Sequence, residues 1–116
     1  EFTKDDKVSL RGDCIVGISA DFDLDKIKEF IKNSANEQIT ITIETISKSI
    51  KIKEIIYGVL NPNFNSNKEL VMRKTDFVSD RTFAIKANKA AFELDRDLIV
   101  ILKEIGNKVK VIIENK

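Results

Sequence analysis

The stretch "ITITI" (Ile39 to Ile43) constrains this chain more than any other, because apolar and polar side chains alternate strictly along it. Successive side chains of a strand point to opposite faces, so a period of two predicts a strand with one face buried. After "SKS" (Ser47 to Ser49) comes "IKIKEIIYGVL", which begins with the same alternation. Two such runs so close together predict a β-hairpin. Whatever the rest of the chain does, it must cover the isoleucine face of that hairpin.

Two amphipathic stretches can supply the cover. Asp23 reads as the N-cap of a helix from Leu24 to about Ala35, with Leu24, Ile27, Phe30 and Ile31 on one face. A second helix is expected from about Asn88 to Ile105, with Ala91, Leu94, Leu98, Ile101, Leu102 and Ile105 as its inward stripe and Gly106 at its C-terminus. "DCIVGISA" (Asp13 to Ala20) and "VKVII" (Val109 to Ile113) read as strands, and "EFTK" as a short one. "ELVMRKT" and "RTFAIKA" read as two more, joined through "DFVSD", while "NPNFNSN" (Asn61 to Asn67) is a loop by composition.

"FDLDK" (Phe22 to Lys26) and "FELDR" (Phe92 to Arg96) look like one unit used twice. At a shift of 70, Leu24 meets Leu94, Ile31 meets Ile101, and Ile39, Ile41 and Ile43 meet Val109, Val111 and Ile113. Upstream the shift is 67, so that Asp13 meets Asp80 and Asp21 meets Asn88. The expectation is a single α+β domain over residues 1–116, with a mainly antiparallel sheet of about six or seven strands and two helices packed on it. Two similar strand–helix–strand units, at about residues 13–46 and 80–114, would build it. Both helices are expected on one sheet face, leaving the other partly open or used in a homodimer.

The composition narrows the chemistry. With 20 Lys and Arg against 19 Asp and Glu, the chain has no global field to draw nucleic acid or an anionic membrane. The lysines of "SIKIKE" and "NKVKV" alternate with apolar residues, as on a solvated strand face, with no interleaved aromatics for base stacking. The absence of His removes the ordinary imidazole base, the Ser-His-Asp and Cys-His arrangements, and any His-based metal site. The one cysteine, Cys14, can form neither an internal disulfide nor a thiolate zinc site, which suits a reducing, cytoplasmic setting. No cofactor and no metal is called for, and no apolar run reaches the roughly 18 residues of a membrane-spanning helix. The first residue is Glu1 rather than Met, so a fragment or processed chain is expected.

What remains is carboxylates, lysines and a few arginines. Only four of the 20 basic residues are Arg, and Arg73 and Arg81 both fall in "RKTDFVSDR". With Lys74, Asp76 and Asp80 they form the densest polar stretch outside the helices. Arg presents planar, bidentate donors, so this stretch could clamp a carboxylate or a phosphate. The same residues equally suit a turn whose Asp caps its own backbone while Arg pairs with Asp. Arg11 precedes the strand equivalent to that of Arg81. Asp13 and Asp80 open equivalent strands, and paired carboxylates can do acid–base work or hold a divalent cation, although turn capping is their commoner role. Cys14, in "RGDC", is expected to pack in the core. The ligand-binding candidates are therefore Arg11, Asp13, Arg73, Lys74, Asp80 and Arg81.

At "RGDCIVGISAD" and "RKTDFVSDRTFAIKANKAAFELDRDL" the chain resembles the archaeal domain of unknown function 371 family, whose members read "RGDCIIGI-AD" and "RKSDF-SDRT--I-ADKAA-DLDREL". Thr75 stands for Ser and Asn88 for Asp. Members usually carry a further N-terminal segment with a His, which is absent from this sequence. The resemblance implies a small archaeal cytoplasmic protein and brings no activity, cofactor or catalytic residue with it. The reading of the residues is a non-catalytic binding or scaffold domain with a small-anion site. An enzyme using Asp and Arg groups, with or without a divalent cation, is the alternative, and nucleic-acid binding a weaker one.

Overall fold

A computed structural model describes residues 1–5, 17–46, 51–90, 93–103 and 108–116. The alternating run forms β2 (Gln38–Thr45), and the run after it forms β3 (Lys53–Leu60). They pair antiparallel from Gln38↔Val59 to Glu44↔Lys53, as the hairpin reading requires. On the other side of β2, β6 (Val109–Asn115) pairs antiparallel from Ile39↔Asn115 to Thr45↔Val109. Directly opposed residues share a face. Ile39, Ile41 and Ile43 thus lie in rows with Gly58, Ile56 and Glu54 on β3 and with Asn115, Ile113 and Val111 on β6. Those three isoleucines have 0% exposure and form the middle of the core.

Helix α1 (Leu24–Asn33) starts where Asp23 offers its Oδ1 to the amides of Asp25 and Lys26, at 2.8 and 3.3 Å. That bond satisfies two donors that a helix start leaves without an internal partner. The helix stops where the Ser34 hydroxyl donates to the Phe30 carbonyl at 2.8 Å and the backbone turns extended. Leu24, Ile27, Phe30 and Ile31 join the cluster around the β2 isoleucines, and so do Leu94 and Leu98 from the second helical region. The turn into β2 is fastened by Asn115, whose side chain accepts from the Ala35 amide and donates to the Asn36 and Gln38 carbonyls.

The second helix, α2 (Arg96–Lys103), begins later than the expected start near Asn88. Two groups explain the shift. The Asn88 side chain accepts from the Tyr57 amide at 2.8 Å while its own amide donates to the Tyr57 carbonyl, so Asn88 is tied to β3 instead of opening a helix. At the place matching Asp23 stands Glu93, one methylene too long for a good cap. Asp95 takes over, its Oδ1 accepting from the Asp97 amide at 2.8 Å. The expected helix end at Ile105 and Gly106 lies outside the described residues.

The remaining strands are β1 (Phe2–Thr3), β4 (Glu69–Met72) and β5 (Thr82–Ile85), and the sheet order is β1-β4-β5-β3-β2-β6. The sheet is mixed, where a mainly antiparallel one is expected from sequence. "DFVSD" does not turn a hairpin: β4 and β5 run parallel, with a register shift between Val71 and Met72. The chain leaves β3, passes the start of β5 to reach β4, and comes back through residues 73–81. Nor does the structure show the two-unit repeat. The first half of the strand expected at Asp13 to Ala20 lies outside the described residues; in the second half Gly17 makes a parallel bridge to Phe2. A Cβ on Gly17 would stand 2.9 Å from the Phe2 ring, so only glycine fits that approach.

The β2 row sets the first expectation. Ile41→Ala removes a side chain with no exposed surface, between Ile56 and Ile113. It should lower stability by about 3–4 kcal/mol in chemical denaturation, and Thr40→Ala on the other face by under about 1 kcal/mol.

Candidate functional site: the crossover from Arg73 to Arg81

The return of the chain from β4 to β5 is built around two buried polar residues. Asn61, which follows β3, is 4% exposed, and its Nδ2 donates to the Thr82 carbonyl at 2.8 Å and the Ser79 carbonyl at 3.4 Å. Its backbone amide donates to the Phe83 carbonyl, and its Oδ1 accepts from the Asn63 amide. One side chain thereby satisfies backbone groups at the β5 end of the crossover and in the loop after β3. Beside it, Phe64 packs edge-to-face on Phe83 with ring centroids 5.5 Å apart.

Thr82, with 0% exposure, takes the next layer of bonds. Its Oγ1 accepts from the Ser79 amide and from Arg73 Nε, each at 3.1 Å, and also contacts the Ser79 hydroxyl. The Arg73 guanidinium lies over the Phe77 ring at 4.8 Å. Arg73 is therefore held on one edge and one face, while its two Nη groups have no hydrogen-bond acceptor among the described residues. Phe77 and Val78 sit beside it with 58% and 49% exposure, an apolar tip on a polar loop.

The other candidate groups have separate partners. Arg81 Nη1 donates to Glu69 Oε2 at 2.9 Å, near the start of β4. Lys74 Nζ reaches Glu93 Oε1 at 2.5 Å, and so ties the loop to the segment that leads into α2. That bond, with one from the Ala90 amide, holds the Glu93 carboxyl below its ordinary range. Asp80 accepts from the Asn65 amide through its backbone carbonyl, and its side chain is exposed. Arg11, Asp13 and Cys14 lie outside the described residues, so the expected meeting of Asp13 with Asp80 has no geometry. Among the described residues no group of three or more His, Cys, Asp or Glu could hold a metal ion. None of the described helices is long and apolar enough to cross a membrane.

Next to the crossover lies an open groove of about 470 Å³ between α1 and the loop after β3. Lys28, Ile31 and Lys32 form one wall; Pro62, Asn63, Phe64 and Asn65 form the other. Sequence reasoning missed this place. Its only signal was Lys28 and Lys32 spaced one turn apart beside the helix's apolar stripe. The acceptors Thr82, Glu69 and Glu93 were also missed, because no local pattern marks a residue nine to nineteen positions away as a partner.

A family model described as "Domain of unknown function (DUF371)" matches residues 1–116. The chain is also 33% identical over 104 residues to the uncharacterized protein MJ0206 of Methanocaldococcus jannaschii, covering 90% of this chain and 77% of that protein. Neither description names an activity.

Two outcomes follow from the bonds. Arg73→Ala should cost about 1–2 kcal/mol, for one charged hydrogen bond and one ring contact, and the more exposed Arg81→Ala under about 1 kcal/mol, both measured by denaturant melts. Glu93→Gln should destabilise the chain at neutral pH. A carboxyl lowered on folding adds stability above its unfolded pKa and loses it as pH falls through the folded one. The wild-type advantage should therefore fade in acid below the ordinary value of 4.5.

Proposed function

This chain belongs to the domain of unknown function 371 family, and from that premise we propose that it is a non-catalytic binding domain for a small anion. Arg73 is the central donor. One observation carries the reading: the guanidinium is held in place by Thr82 and Phe77, yet both its Nη groups have no acceptor among the described residues. An arginine so positioned loses little side-chain entropy on meeting a planar carboxylate or a phosphate. Lys74 and Arg81, at the two ends of the same crossover, are the further cationic candidates. Each is about half exposed, and the contact of Lys74 with Glu93, worth about 0–1 kcal/mol, is one that a ligand can exchange. Asp80 sets the loop between them through its backbone. Arg11 and Asp13 keep their place as candidates from sequence alone. A second copy of the chain is the other partner of such a scaffold, and a cytoplasmic setting suits its lone cysteine.

The test is titration with inorganic phosphate, and separately with citrate, at fixed ionic strength, read by NMR at the Arg73 and Thr82 signals. Saturable shifts that Arg73→Lys weakens at least about tenfold are the expected result, since an ammonium cannot give the bidentate contact. Linear, unsaturating shifts, or identical binding by the variant, would remove Arg73 from the role.

A further inference from the structure

We infer that β6 is the dimerisation edge of this protein, pairing antiparallel with β6 of a second copy about a two-fold axis at Ile112. The inference refines the second-copy part of the scaffold reading and does not involve the anion site.

The first observation is an incomplete core. Ile39, Ile41 and Ile43 on β2 have 0% exposure, but Val109, Val111 and Ile113, on the same face one strand outward, are only half-buried. β6 ends the sheet, and among the described residues only β2 pairs with it. It is a seven-residue strand without proline and without a register shift in its pairing. Protein edges of that length are usually shortened, bulged or blocked, because unpaired amides and carbonyls recruit another strand. The opposite edge of this sheet is guarded in that way: β1 has two residues.

The second observation is the phase of the hydrogen bonds. The Lys116 amide donates to the Gln38 carbonyl at 2.8 Å. In an antiparallel ladder this puts Glu114, Ile112 and Lys110 in the set bonded to β2, and turns the backbone groups of Val109, Val111, Ile113 and Asn115 outward. Those outward groups are the ones a neighbouring strand would use.

The third observation selects the neighbour. β6 reads V-K-V-I-I-E-N, and Lys110 and Glu114 stand two residues on either side of Ile112. Self-pairing about Ile112 aligns the whole strand, Val109 with the second copy's Asn115. Val111 then bonds its Ile113 on the core face. Lys110 opposes Glu114 twice, and Ile112 meets its own copy, on the outer face. Opposite charges directly across a ladder stabilise it. A shift of the centre to Ile113 sets Lys110 against Lys116, and a shift to Val111 sets Lys110 against Ile112. A foreign strand leaves both charges without a designed partner, so the same two residues that block general pairing permit self-pairing. Such an isologous contact closes at two copies and joins two sheets into one.

Sedimentation equilibrium of the chain across the micromolar to millimolar range should show a monomer–dimer equilibrium. Hydrogen exchange at the Val111 and Ile113 amides should slow as concentration rises, while Ile112 exchange changes little. Lys110→Glu and Glu114→Lys, both at exposed positions, should each weaken the dimer about tenfold with an unchanged circular dichroism spectrum. The double swap should restore it to within about threefold. Ile112→Lys, which brings two ammonium groups together at the axis, should abolish it. A wild-type chain that stays monomeric throughout, or a dimer indifferent to all four variants, overturns the assignment. Phosphate shifts at Arg73 report on the anion site independently of either result.

Discussion

The fold depends on the row of Ile39, Ile41 and Ile43, bonded on both sides and closed to water. Burying each such side chain is worth about 1.5–3 kcal/mol, and the strict alternation with threonine ties that burial to one register. A slip of one residue against β3 or β6 would put all three on the outer face and Thr40, Thr42 and Glu44 inside. The penalty fixes three strands at once. It also gives the two helical segments a common surface, since Ile27, Phe30 and Ile31 from one and Leu98 from the other reach the same cluster.

The second constraint is polar. A short connection between adjacent strands ordinarily makes a hairpin, and parallel neighbours ordinarily need a longer crossover. Here nine residues, 73–81, bring β5 back alongside β4. Asn61 and Thr82 make that path tolerable by satisfying carbonyls and amides that a tight buried loop would otherwise leave bare. Arg73 completes the brace. Its role in the loop and its proposed role toward an anion use different atoms, Nε for the first and Nη for the second.

How much of this could be read from the sequence follows the range of each determinant. β2, β3 and β6 were legible because alternation is local, and α1 because Asp23 caps it from one residue away. The start of α2 was not, since Asn88 is claimed by Tyr57, 31 positions back. The parallel pair was also hidden: strand propensity says that "ELVM" and "TFAI" are extended and nothing about their relative direction. At the site, the scarcity of arginine pointed to Arg73 and Arg81, but the groups that orient them, Thr82 and Glu69, look like ordinary strand residues. The apparent duplication of "FDLDK" and "FELDR" shows the limit of a motif. One changed residue, Glu93 for Asp, moves the helix start by two positions and recruits the spare carboxylate to Lys74.

The two-residue β1 has a consequence for motion. Phe2↔Leu70 and Thr3↔Glu69 join it to β4, with the Lys4–Lys68 backbone bond just beyond, and on its other side Thr3 bonds Gly17 and Ala20 while Asp5 accepts from Ser19. The edge of a sheet can open locally at a fraction of the global unfolding free energy. The segment bearing Phe2 is therefore expected to open together with residues 17–20, to which it is bonded, baring Leu70 while the isoleucine row stays shut.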